Sequence, residues 1–271
     1  MSWQDCAALV EAGDPDRFRA AMTGPVAARA RLFPLYAFNL EVAKAPWVTS
    51  EPGLAEIRLQ WWRDAIAEIF EGRGVRRHEV VTPLADVIME TNLPRPLFDA
   101  LIDARGFDCY AEPHAGRASF DAYIGASAGG LMELSVAALS EGAPVPREVA
   151  WFGWGCGVAS LILALPVLYG SGRQPIPVEG SLDLNAVAEG RVPAVLQDAV
   201  RQIAGDALDR IRTARTANLP AIAGPALRAG WQAHPILKRA HAHPDKVLEP
   251  WAPSEFRQRG SLMIKAMLGR W

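Results

Sequence analysis

From Val149 to Gly172 the chain carries no charged side chain, and the inner part of that stretch, Trp151–Tyr169, is long enough to cross a bilayer. Gly153 and Gly157 place a GxxxG pair inside it. Two environments accept such a helix: lipid, or the middle of a large helical protein. Glycines crowd its first half and Pro166 stands near its end. No second segment of the kind is evident in the sequence, so the expectation is a buried central helix. A core able to surround it must be large. With 271 residues, 50% of them hydrophobic and 21% charged, the chain has the apolar mass for one.

The rest of the sequence is punctuated for helices. Alternating β-branched runs and Asn-Gly turns are almost absent, which argues against strands. Asp14-Pro15 places an N-cap and a proline before Asp16–Met22. Pro25 opens a segment to about Trp47, with Pro34 and Pro46 as expected interruptions, and Ser50-Glu51-Pro52 starts another that runs to Glu71. In it, Leu54, Ile57, Trp61, Ala65 and Ile69 mark one apolar face, and Leu59, Trp62, Ile66 and Phe70 mark a second. Further helices are predicted over 83–90, 94–109, 117–139, 146–169, 193–217, 225–242 and 253–268, with 171–189 irregular. Residues 1–271 read as one all-α domain, a helical bundle without repeat or linker.

Charge and motif content exclude several functions. The formal net charge of −2 offers no basic surplus for a nucleic acid. Cys6, Cys109 and Cys156 form no CxxC, so neither a disulfide framework nor a zinc site is expected, and a reducing compartment fits. The acidic N-terminus lacks the apolar run of a secretory signal and the composition of a transit peptide, so a cytoplasmic location is expected. GxGxxG after a strand, the P-loop, HExxH and GxSxG are missing. His234 and His241 are two helical turns apart, too far for one ion, and His241 and His243 point to different faces. The i,i+4 acid pairs Asp64/Glu68 and Asp99/Asp103 could grip Mg²⁺ only if they faced a cavity; a solvated face is the expectation.

Several segments together resemble a known family. Phe18-Arg19, Leu35-Tyr36-Ala37-Phe38-Asn39-Leu40-Glu41 and Ile57-Arg58-Leu59-Gln60-Trp61-Trp62-Arg63-Asp64-Ala65-Ile66 resemble the opening of squalene/phytoene synthases. Leu93-Pro94, Leu101-Ile102-Asp103, Tyr123, Gly129-Gly130-Leu131, and Gly172-Arg173 with Pro177 continue the likeness to about residue 180. The resemblance implies the isoprenoid synthase fold, a bundle around a central cavity. It also implies head-to-head joining of two prenyl diphosphates, with Mg²⁺ held by two Asp-rich motifs on facing helices. Here the sequence departs from the family. The first motif's acid positions fall on Ala43, Lys44 and Trp47, and the second's near Ala164, Val167 and Leu168. Hard cations need oxygen ligands opposite a diphosphate, and these positions supply none.

The same departures resemble one branch of the family, the synthase-like assembly factor of respiratory complex I and its bacterial relatives, which keep the fold and lack the Asp-rich motifs. That resemblance implies a pseudoenzyme assisting biogenesis of the NADH dehydrogenase, needing no cofactor. Its partner would be a complex I subunit, another assembly factor, or an apolar or isoprenoid ligand. The alternative is an active prenyl transferase with atypical ligands and Mg²⁺, in which Arg29, Arg31, Arg58, Arg63 or Arg173 contacts phosphate. A cavity of acids and arginines would favour the transferase, and one of hydrocarbon the emptied scaffold. The expected functional patch is Tyr36, Asn39 and Glu41 with Arg58, Trp61, Trp62 and Arg63, joined by Arg173. Finally, Trp251, Phe256, Met263, Met267 and Trp271 beside Arg257, Arg259, Lys265 and Arg270 give the C-terminal helix a basic amphipathic pattern. Such a pattern suits peripheral contact with the inner membrane, or packing on the bundle.

Overall fold

The computed structural model describes every residue except Ser50, Glu141, Gly142, Asn218 and Ala252, so the helix start expected at Ser50 lies outside the described residues. Among the described residues all regular structure is helical, as expected. Helix α1 (Trp3–Gly13) was not foreseen. Its start is fixed where the Asp5 carboxylate accepts the Ser2 N–H at 2.7 Å. Asp14 then accepts the Arg17 N–H at 3.0 Å and opens α2 (Pro15–Met22).

Helix α3 (Val26–Lys44) runs unbroken through Pro34, which corrects the expected interruption. A proline inside a helix costs about 3 kcal/mol. Around it Leu32, Phe33, Leu35 and Phe38 are all fully buried, at about 1.5–3 kcal/mol for each such side chain. Burial wins. Pro46 does end the helix, in a 3₁₀ turn at Ala45–Trp47. Helix α4 (Pro52–Phe70) buries Leu59, Trp62, Ile66 and Ile69, but Leu54 and Ile57 are exposed, so its first apolar face meets the bundle only in its second half.

Next come α5 (Val81–Thr91), closed by Asn92 in the left-handed region at φ 51°, and α6 (Arg95–Phe107). The segment expected as one helix over 117–139 is continuous, with a π-helical turn inside it that divides it into three parts. These are α7 (Arg117–Ile124), a π-helical turn at Gly125–Gly129, and α8 (Gly130–Leu139). Helix α9 (Glu148–Gly170) is the charge-poor one. A short α10 (Leu184–Ala188) lies in the stretch expected to be irregular, and α11 (Ala194–Thr216) follows. The expected helix over 225–242 is instead α12 (Gly224–Leu227), a 3₁₀ turn at Arg228–Gly230 and α13 (Ala233–Ala242). Helix α14 (Glu255–Met267) ends the bundle.

Helix α9 sits at the centre, packed by α8, α11, α13 and the π turn. Two helices rather than the expected one are long and apolar enough to cross a membrane, over 117–139 and 148–170. Each has half or more of its most apolar window buried in the bundle. The GxxxG pair explains how. A Cβ at Gly153 would stand 2.6 Å from the Met132 Cβ and 2.9 Å from the Ala128 carbonyl oxygen, and one at Gly157 would stand 2.5 Å from the Ala128 Cβ. The pair therefore lets α9 touch the π turn and α8 within one chain. Gly153→Val and Gly157→Val should each destabilise by about 1–3 kcal/mol through overpacking. Gly170→Ala, where a Cβ meets open space, should not lower the melting temperature; thermal unfolding of the three variants checks this.

Candidate functional site: a central cavity between α3 and α9

A cavity of about 470 Å³ opens beside α9. Tyr36 and Asn39 of α3 line it, as do Gly157, Ser160, Ala164 and Leu168 of α9. Neither helix contributes a carboxylate to the wall. Tyr36 is buried with its hydroxyl oxygen unpartnered, and burial, opposed by Arg17, pushes its phenol up to about 12.

Charged groups reach the cavity from other elements. They are Arg17, Asp14 and Asp16 near α2, Arg105 and Asp108 at the end of α6, Glu112 beyond it, and Arg173 after α9. Most are paired with each other or with the backbone. Arg17 Nε lies 3.2 Å from the Asp14 carboxylate. Asp16 accepts from Arg19 at 2.8 Å and from the Gln232 amide at 2.7 Å. Arg105 donates to the Tyr123 hydroxyl at 2.7 Å and to Asp108 at 3.1 Å, while Tyr123 itself donates to Asp108 at 2.9 Å. Burial raises the Tyr123 phenol above its usual range, the Arg105 guanidinium opposing it. Arg105 Nε remains buried without a partner. Arg173 donates to the Tyr110 carbonyl at 2.9 Å and lies over the Trp47 ring.

The eight residues expected as one patch separate. Tyr36, Asn39 and Arg173 reach the central cavity. Glu41, Arg58, Trp61 and Trp62 line a different, shallower pocket of about 260 Å³ with Lys44 and His78. Arg63 reaches neither and donates to Asp103 at 2.9 Å. Its aromatic lining is held from behind: Trp62 is buried edge-on to Phe38, and Arg76 lies over the Trp61 ring. Of the other arginines offered to phosphate, Arg29 caps the Gly24 and Met22 carbonyls and Arg31 donates to Ala138. Arg17, Arg105, Asp108, Tyr123 and Gln232 were not foreseen as a group. Arg105 and Asp108 are an i,i+3 pair at the end of α6, but Arg17, Tyr123 and Gln232 come from other elements, so no local spacing announces the group.

The acid pairs weighed for metal binding are neutralised by arginines. Glu68 accepts from Arg76 at 2.6 and 2.9 Å, Asp99 from Arg95 at 3.2 Å, and Asp103 from Arg63. Among the described residues no group of three His, Cys, Asp or Glu side chains could hold a metal ion. The residues on the α3 and α9 walls do not fit Mg²⁺: an amide, a hydroxyl and hydrocarbon replace the charged oxygens it requires.

A family model described as squalene/phytoene synthase matches residues 10–259. The chain belongs to that family. Two solved structures share its fold. One is the squalene synthase HpnC from Alicyclobacillus acidocaldarius, at a TM-score of 0.75 and 17% identity, covering 92% of this chain and 95% of that one. The other is a dehydrosqualene synthase in complex with ligand, at 0.71 and 12%, covering 98% and 95%. No curated protein matches at a significant level. At these identities the likeness shows the fold alone.

Two measurable consequences follow from the site's aromatic surroundings. Trp62→Ala should cost about 3–5 kcal/mol, because the ring fills core that cannot collapse; denaturant titration reads it. His114 stacks on Phe107 at 4.3 Å and faces the edge of Phe120, and burial holds its imidazole below the ordinary 6.5. The unfolded chain therefore binds a proton that the folded chain resists. Stability is complete above about pH 6.5 and declines as the pH falls through it. His114→Phe should flatten part of that decline between about pH 7 and pH 5, leaving the share of the similarly depressed His234.

Proposed function

We propose that this protein is a catalytically degenerate squalene/phytoene synthase that assists biogenesis of respiratory NADH dehydrogenase, binding a protein partner or an apolar ligand. One observation carries the reading. The two helices that form the cavity's facing walls present Tyr36, Asn39, Ser160, Ala164 and Leu168 where a diphosphate-binding site would need converging carboxylates. The complex I role rests on the sequence resemblance to the assembly-factor branch. The cavity favours a ligand with a hydrocarbon body and a small oxygen-bearing head. Its walls are mostly apolar, and Tyr36 Oη and Arg105 Nε are buried polar atoms still lacking a partner.

A second reading, an active prenyl transferase with atypical ligands, draws on Arg17, Arg105 and Arg173, which share the cavity with Asp14, Asp16, Asp108 and Glu112. Three arginines and four carboxylates are the set that such an enzyme would use. Against it, Arg17 and Arg105 are each already engaged by a carboxylate at 3.1–3.2 Å, so a phosphate would have to displace an ion pair.

The test has two arms. Purified protein incubated with farnesyl or geranylgeranyl diphosphate and Mg²⁺ should release no diphosphate above a protein-free control. Deleting the gene in the organism that carries it should lower the amount of assembled NADH dehydrogenase. Wild type should restore that level, and Ala164→Phe, which fills the cavity wall, should restore less. Clear turnover would establish the transferase instead.

A further inference from the structure

Helix α14 is held to the bundle by very little. Leu262 is its one buried residue, and it joins Ala20 and Trp231 in a cluster separate from the main core. Beyond the helix, Trp271 packs edge-on against Phe152 with ring centres 4.7 Å apart. On the other side stand Phe256, Met263, Ile264, Met267 and Leu268, which are 57% to 88% exposed.

Their placement is not scattered. At about 100° per residue these five side chains fall within an arc of about 140°, and Leu262 lies nearly opposite the middle of that arc. The helix thus has two apolar faces, a narrow one used and a broad one unused. Such a contiguous bare face marks an interaction site. Charge says with what. From residue 254 onward the side chains include Arg257, Arg259, Lys265 and Arg270 against a single carboxylate, Glu255, in a protein whose formal net charge is −2. On the same projection Arg259 borders the apolar arc and Arg257 falls within it, between Ile264 and Leu268; only Arg259 is engaged by Glu255, at 2.9 Å with both side chains mostly exposed. Lys265 points the other way, half-buried. A bulky apolar face, rich in methionine, with one arginine at its border and one near its other edge, is complementary to an anionic lipid surface, where chains receive the apolar groups and headgroups receive the guanidinium groups.

The helix also has a defined relation to the cavity. Trp231, on which Leu262 rests, lines the central cavity together with Gly230 and Gln232. We propose that α14 is a membrane-docking helix that lays its Phe256–Leu268 face on an anionic bilayer and so holds the Trp231 wall of the cavity close to lipid. The inference does not depend on the complex I role, and it holds whether or not the protein is an enzyme.

Co-sedimentation of the full chain with vesicles tests it. Binding to phosphatidylcholine vesicles containing phosphatidylglycerol should exceed binding to phosphatidylcholine alone by about tenfold or more, and should weaken as salt is raised. The double variant Met263→Glu/Met267→Glu, altering two exposed positions, should keep the wild-type melting temperature and lose at least about tenfold in vesicle binding. Arg257→Glu should weaken binding to the anionic vesicles and leave the weak binding to neutral ones unchanged. Equal binding by the double variant, or no preference for anionic vesicles, would overturn the proposal. So would a lipid-free dimer abolished by the same double variant, since the face would then belong to a second copy of the chain.

Discussion

The close approach of α9 to the π turn and α8 is the contact on which the rest of the bundle depends. Dispersion between packed atoms is weak pair by pair and falls off within a fraction of an ångström, so two helices gain most when their backbones nearly touch. Gly153 and Gly157 permit that on one side, and Gly155 does the same toward Ile211 of α11. An apolar helix that would otherwise suit a bilayer is thereby enclosed by its own chain. The cost is borne by its C-terminal half. There Leu163 and Val167 remain exposed, while the cavity runs beside the helix from Gly153 to Leu168, so the helix that closes the core also walls the cavity.

The cavity's electrostatics are correspondingly self-contained. An isolated buried ion is expensive, and a buried ion pair is tolerable only when its remaining lone pairs and protons are engaged. The Arg105–Asp108–Tyr123 triangle satisfies that condition almost fully, leaving Arg105 Nε over. Asp16 is likewise held by both Arg19 and Gln232. Groups fixed in this way can present a donor to a guest without changing their own charge state. They are less suited to gathering several divalent cations, which would need carboxylates with free lone pairs converging on one point.

Much of this was legible in the sequence. Proline and glycine punctuation located most helices, and the charge-free run identified the central one. Four features were not legible, each for a physical reason. Helix α1 is announced only by Ser2 and Asp5, a short cap signal that a weakly periodic segment does not reinforce. Pro34 reads as a breaker because local propensity ignores the burial around it. Leu54 and Ile57 continue the apolar period of α4 past the point where the bundle covers it, since periodicity records what could be buried and not what is. The candidate patch around Tyr36 and Trp61 shared two helices but not one cavity. Positions near one another in sequence suggest a common destination, and helix rotation sends them to two different pockets.

The π turn at Gly125–Gly129 has its own consequence. Widening the helix by one residue resets its angular phase, so α7 and α8 do not continue one another's faces. Before the turn, Tyr123 is aimed at the Arg105 corner; after it, Leu131 and Met132 are aimed at α9 and the hydrocarbon wall. Closing this wide turn to ordinary α-helix with all five residues kept would swing everything downstream by about 100°. The polar end of the chamber and its greasy end would then no longer belong to the same compartment, which gives those five small residues the role of a spacer rather than a hinge.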